Sequence, residues 1–231
     1  MKKRLREIGS WITDNAHLLN NFTVMYLRRT PPKHYLDYTK EGKVPVIVLP
    51  GIFGRWAFLK PLADYISLLG HPVYVVPKLG NNVKDIPTSA QLVREIIVEN
   101  NLTHAIIVAH SKGGLVAKYM LAHDNTDNRA TGLVAVATPF SGSSLGNQFS
   151  YYPAHELATD SNIILSLQTY SKINERIISI IPQYDNYVWH ERGSFLAGAK
   201  DNIYVPNHGH TQLLRDKNVW AVIVRSIDAL T

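Results

Sequence analysis

Ala105-Ile106-Ile107-Val108-Ala109-His110-Ser111-Lys112-Gly113-Gly114-Leu115-Val116-Ala117-Lys118-Tyr119 joins an almost wholly apolar run to an apolar-periodic one through a single serine. The first half reads as a buried strand and the second as a helix. Ala109 and Gly113 flank Ser111 at −2 and +2, where a tight strand-to-helix turn leaves no room for larger side chains. Such a turn pushes the serine hydroxyl out of the backbone at a helix N-terminus. Unpaired N–H groups and the partial positive charge there favour developing negative charge. The pattern is G-x-S-x-G with Ala109 in place of the first glycine.

Similar strand-like runs lie on either side. Val44–Leu49, Pro72–Val76, Gly132–Ala137, Ile177–Ile181 (ending at Pro182) and Asn202–Val205 (ending at Pro206) read as further strands. Between them, Trp56–Leu69, Thr88–Val98 and Leu213–Ile227 read as helices, and His34–Thr39 as a short edge strand. Six strands alternating with helices predict a mainly parallel α/β sheet with helices on both faces, a three-layer architecture. In such sheets ligands bind beyond the carboxyl ends of the strands, and every chemically suggestive segment here follows a strand.

At 231 residues the chain is long enough for one sizeable core and too short for two comfortable domains. We expect a helical extension over 1–40 packed on the body, then a catalytic domain over 41–231 with a short lid-like insert around 144–175. The absence of cysteine removes disulfides, thiolate metal sites and cysteine nucleophiles. Net charge is +6, part of it in Lys2, Lys3, Arg4 and Arg6. No helix-turn-helix, zinc finger or basic-aromatic repeat accompanies it, so nucleic acid is not an expected partner. Two readings compete for the first thirty residues: docking on the body, which we take as the expectation, or weak contact with an anionic membrane surface through the basic, apolar-faced helix. Asp14, Asn15, His17, Asn20 and Asn21 break the early apolar run, and no long apolar stretch follows. The expectation is therefore no signal peptide, no membrane span and a cytoplasmic protein.

A serine hydroxyl needs a base to take its proton as it attacks, and the base needs an orienting carboxylate. When these groups follow the chain order serine, acid, histidine, the search after Ser111 is narrow. His210, after the last strand and ahead of the closing helix, is preferred over His208. Asp185, in the loop after the fifth strand, is preferred over Asp160 and Asp201, the latter standing at the wrong end of its strand. Stabilising the oxyanion takes two preorganised N–H donors. Lys112, following the serine, supplies one. Ile52, in Pro50-Gly51-Ile52-Phe53-Gly54 after the first strand, supplies the other, with Phe53 the next choice.

Leu49-Pro50-Gly51-Ile52-Phe53-Gly54, Ala109-His110-Ser111-Lys112-Gly113-Gly114, Ala137-Thr138-Pro139-Phe140-Ser141-Gly142-Ser143 and Gly209-His210-Thr211-Gln212-Leu213-Leu214 together resemble the α/β-hydrolase superfamily. Within it they are most similar to small bacterial-type serine lipases and esterases. The resemblance spans roughly residues 44 to 228 and implies a cofactor-free carboxylic ester hydrolase without a metal. Ser111, Asp185 and His210 would form its triad, Ile52 and Lys112 its oxyanion donors. Ile52, Phe53 and Phe140 would contact the ester or lipid substrate, and Phe149-Ser150-Tyr151-Tyr152 would either contact it too or serve as a connector packed on its own body. An acyltransferase using the same acyl-enzyme, or a catalytically silent interaction module, remains the alternative. Three departures stand out: Pro50-Gly51 where His-Gly is usual, Ala109 for glycine, and the charge of Lys112, which predicts a bias toward anionic or polar groups.

Overall fold

The computed structural model describes residues 30–148, 154–189 and 193–231. The expected N-terminal helix and the aromatic segment 149–152 lie outside these. Six strands form one sheet: β1 (Val46–Leu49), β2 (Val73–Val75), β3 (Ala105–His110), β4 (Ala130–Val136), β5 (Ile177–Tyr184) and β6 (Asp201–His208). All neighbours pair parallel, in the order β2-β1-β3-β4-β5-β6. Among the described residues, six α-helices flank them: α1 (His34–Asp37), α2 (Lys60–Leu68), α3 (Ile86–Glu99), α4 (Lys112–His123), α5 (Asn162–Thr169) and α6 (Lys217–Leu230).

The continuous apolar runs are explained by burial on both faces. Along β1 and β3, Val46, Val48, Ile106 and Val108 pack with α2 and α6. The alternate residues Ile47, Leu49, Ile107 and Ala109 pack with α3, α4 and α5. Period-two alternation thus builds two cores from one sheet, and the molecule has three layers.

Three local expectations are corrected. Residues 34–37 form a helical turn, not a strand; the turn buries Tyr35 against Trp56 while Leu36 and Tyr38 stay exposed. β5 continues through Pro182, because β4 ends its pairing opposite Ile180 and no partner there requires the missing N–H. β6 continues through Pro206, where it is the edge of the sheet and one side of its backbone is unpaired.

The strand order reverses between β1 and β3: β2 is added on one side of β1 and β3 on the other. The loops leaving β1 and β3 therefore diverge and open a crevice, the switch point where open α/β sheets hold ligands. Pro50–Gly54 and Ser111 are the two walls of that crevice.

Candidate active site

Ser111 is the residue between β3 and α4, with φ 53° and ψ −126°. This backbone conformation is costly for a residue with a Cβ and is held from several sides. The Ser111 N–H donates to Val136 O at 2.9 Å, and the Gly114 N–H donates to Ser111 O at 3.0 Å. Two glycines make the turn sterically feasible. A Cβ on Gly113 would lie 2.7 Å from Pro50 O, and one on Gly114 would lie 1.9 Å from Thr138 Oγ1. Gly51 is constrained less severely from across the crevice, where a Cβ would stand 3.0 Å from Ser111 Cβ.

His210 follows β6 and Asp185 follows β5, so neighbouring strands deliver both to the same end of the sheet as Ser111. His210 Nδ1 donates to Asp185 Oδ2 at 2.8 Å, with both side chains buried. Because the carboxylate can only accept, Nδ1 carries the proton, and in the neutral ring Nε2 is then the nitrogen with the lone pair. Burial pushes the Asp185 carboxyl up. The hydrogen bond from His210 and the positive charge that ring carries when protonated, with the N–H groups of Val188 and Tyr187 donating to Oδ1 at 2.8 Å, outweigh that and hold it below the usual range. Asp185 is thus an anion aimed at His210.

Two residues that the sequence reading passed over hold His210 from its backbone. Asn186 Oδ1 accepts from the His210 N–H at 2.8 Å. His110 Nε2 lies 3.1 Å from the His210 carbonyl oxygen and must donate to it. His110 is buried, and that burial drives its imidazole down from 6.5 to about 3, so it stands neutral with a bare, unpartnered Nδ1. The only sequence signals were adjacency: Asn186 follows the acid and His110 precedes the serine.

Ser111 and His210 open onto one cavity of about 380 Å³, within the size range of small-molecule sites. Ile52 and Phe53 line one wall, and Leu145, Ala154 and Leu157 of the insert line another. Among the described residues, no Lys, Arg, Asp or Glu faces it. Phe53 is 47% exposed at the rim, at a φ of 60°. Phe140, expected in the pocket, is not there. It is turned into the core beneath Lys118, whose Nζ lies 5.8 Å from the ring centroid, and Pro139 faces the cavity instead.

The Lys112 side chain also departs from expectation. It is fully buried and points away from the cavity, donating to Lys84 O at 2.5 Å and lying 3.4 Å from Glu156 Oε2. Its charge therefore faces no bound substrate; only its backbone N–H stands beside Ser111. Among the described residues no three His, Asp or Glu converge to hold a metal ion.

Among solved structures, the fold is similar to the mature form of a Bacillus licheniformis lipase (TM-score 0.67, 14% identity, 86% of this chain and 96% of that one). It is also similar to lipase B of Aspergillus fumigatus (TM-score 0.69, 16% identity), matching 87% of this chain but only 55% of that enzyme. A metagenomic carboxyl esterase overlaps at TM-score 0.64 and 15% identity, over 83% of this chain and 77% of that one. No protein-family model and no curated protein sequence matches the chain. The sheet order, the strand-to-helix turn at Ser111 and these overlaps define the class: the chain has the three-layer α/β-hydrolase fold. Among the described residues, no helix is long and apolar enough to cross a membrane.

Proposed function

We propose that this chain hydrolyses carboxylic esters through an acyl-enzyme on Ser111. The observation that carries the reading is the Asp185–His210 hydrogen bond of 2.8 Å, which leaves a basic Nε2 in the same cavity as the strained Ser111. His210 Nε2 takes the hydroxyl proton as Oγ attacks the ester carbonyl, and Asp185 stabilises the imidazolium. The N–H groups of Ile52 and Lys112 receive the oxyanion, Lys112 with the added field of the α4 N-terminus. Collapse of the tetrahedral intermediate expels the alcohol, which takes its proton from His210. Water then attacks the acyl-enzyme, with His210 acting as base a second time.

The substrate class follows from the wall chemistry. A cavity bounded by Ile52, Phe53, Leu145, Leu157 and Val188, with no charged side chain among the described residues facing it, suits a neutral ester with an apolar acyl or alkyl chain. The lipase and esterase names of the structural neighbours agree with that class.

Intact-mass measurement after treatment with an alkyl fluorophosphonate tests the reading. The parent chain is expected to gain one adduct and Ser111→Ala none, with ester turnover in the variant lower by at least about 10³-fold. A parent chain that gains no adduct and cleaves no member of a p-nitrophenyl ester series from acetate to decanoate would sink the proposal.

A further inference from the structure

Pro50-Gly51 occupies the place where a histidine-glycine pair is usual, and proline brings no N–H with which to tie the loop down. Glycine then adds backbone freedom immediately before Ile52. Something else must fix the peptide that carries the Ile52 N–H. Asn82, on the turn that follows β2, is 0% exposed, and its Nδ2 donates to Pro50 O at 2.8 Å. Its own backbone is held at φ 51° by its N–H donating to Leu79 O at 2.9 Å. Asparagine and glycine are the residues that tolerate this left-handed conformation best, and of the two only asparagine offers a side-chain donor. The neighbouring Asn81 accepts from Arg55 Nε at 2.7 Å, so the turn grips the Pro50–Arg55 loop at both ends.

We infer that Asn82 is a positioning residue that preorganises the Ile52 N–H as an oxyanion donor, a role that rests on the ester-hydrolase reading. The Pro50–Gly51 peptide plane is fixed by Asn82. The next plane, Gly51–Ile52, is fixed by the Gly54 N–H donating to Gly51 O at 3.1 Å. In a trans peptide the N–H points opposite to the C=O, so anchoring Gly51 O directs the Ile52 N–H the other way. Only the two torsions of Gly51 lie between these anchors. With both planes held they are no longer free, despite the absence of a side chain. Pro50 O also packs against α4, 2.7 Å from where a Gly113 Cβ would stand, so the same tie registers the loop against the Ser111 turn. Asn82 Oδ1 is buried without a partner, an uncompensated cost that a purely packing residue would not carry.

The test is Asn82→Gly, which keeps the backbone conformation and deletes the donor. Turnover is normalised to the fraction of chains that a fluorophosphonate labels at completion, which removes any loss from misfolding. The expected result is kcat down about 10- to 100-fold with KM within about twofold, because a displaced donor weakens the transition state and not substrate binding. Affinity for an alkyl trifluoromethyl ketone, whose hemiketal on Ser111 carries the same oxyanion, should fall by the same factor as kcat/KM. Asn82→Asp, equal in size and presenting a second acceptor to Pro50 O, should lose at least as much. If the parent hydrolyses esters and both variants match it in normalised kcat and inhibitor affinity, Asn82 does not position the donor, while the enzymatic reading stands. A parent that neither labels nor turns over takes both down together.

Discussion

His110 shows how much one buried side chain can govern at this site. It cannot touch the reacting atoms through Nε2, which is committed to His210 O. Its consequence is instead a dependence of stability on pH. In the fold the imidazole is driven to about 3 by burial, with the neighbouring His210 adding to the depression, whereas an unfolded histidine titrates near 6.5. Between those values the unfolded chain binds a proton that the native chain refuses, so stability falls as pH drops through that window and is intact above it. The loss from this group is about 2 kcal/mol between pH 7 and pH 5. His110→Gln retains an amide donor for His210 O without the titration. Urea midpoints measured at both pH values should therefore separate less in the variant than in the parent; an equal separation would contradict the buried neutral imidazole. Asp185→Asn makes a complementary prediction about chemistry. It keeps the shape but removes the anion that selects the Nδ1–H tautomer, and kcat is expected to drop by about 10³- to 10⁴-fold at neutral pH. Ser111, Asp185 and His210 were legible as candidates because each follows a strand and they occur in a fixed order. His110, Asn186 and Asn82 were not, since their contacts join positions 100, 24 and 32 residues apart and leave no local pattern. Phe140 was misread because an aromatic residue after a strand can face either the crevice or the core, and sequence spacing does not say which.

Between elements, the least expected contact is the one made by Lys112. The first residue of α4 reaches away from the cavity to the backbone of Lys84, just ahead of α3, and to Glu156 in the insert. Glu156 Oε1 also accepts from the Ile86 N–H at 3.3 Å, at the start of α3. A single ion pair thus joins the Ser111 turn, the N-terminus of α3 and the segment whose Ala154 and Leu157 form a wall of the cavity. Burial lowers the lysine pKa and raises that of the glutamate, so each partner is needed to keep the other charged. Breaking such a pair from one side strands a charge. Glu156→Gln is expected to cost about 3–5 kcal/mol, and the double variant Lys112→Met/Glu156→Gln less than the sum of the two single losses. Urea denaturation of the four proteins measures that coupling; simple additivity would mean that the two side chains do not depend on each other. The helices and strands themselves were largely legible, since apolar periodicity and the stop at Gly70 mark them, although the Asp85 cap that starts α3 at Ile86, two residues ahead of the expected Thr88, was missed. The misplaced boundaries came at prolines. Pro182 and Pro206 stop a strand only where a neighbour needs their N–H, and pairing is a property of the sheet, not of the segment.

Across the whole molecule, the sheet is the element on which both cores depend, and the site exists only where its strand ends converge. Parallel pairing was legible from the doubly apolar strands. The strand order was not, since nothing local to β1 says that β2 and β3 take opposite sides of it, yet that order opens the crevice between Pro50 and Ser111. A sheet shared in this way predicts that the two faces unfold as one unit. Ile107 is fully buried at the middle of β3 and packs only on the α3–α4 side. Ile223 and Ile227 of α6 pack on the opposite side. Ile107→Ala removes three methyl or methylene carbons from one face and is expected to cost about 2–5 kcal/mol globally. If the faces are coupled through β3, the slowest-exchanging amides of α6 should lose protection by that same free energy in native-state hydrogen exchange, although no atom near α6 has changed. Protection in α6 that stays at the parent level while α3 and α4 lose theirs would show two separately unfolding layers. The crevice would then be exposed to local opening on one side only. Coincident loss instead means that the geometry around Ser111, drawn from loops after five different strands, is held by the full stability of the fold.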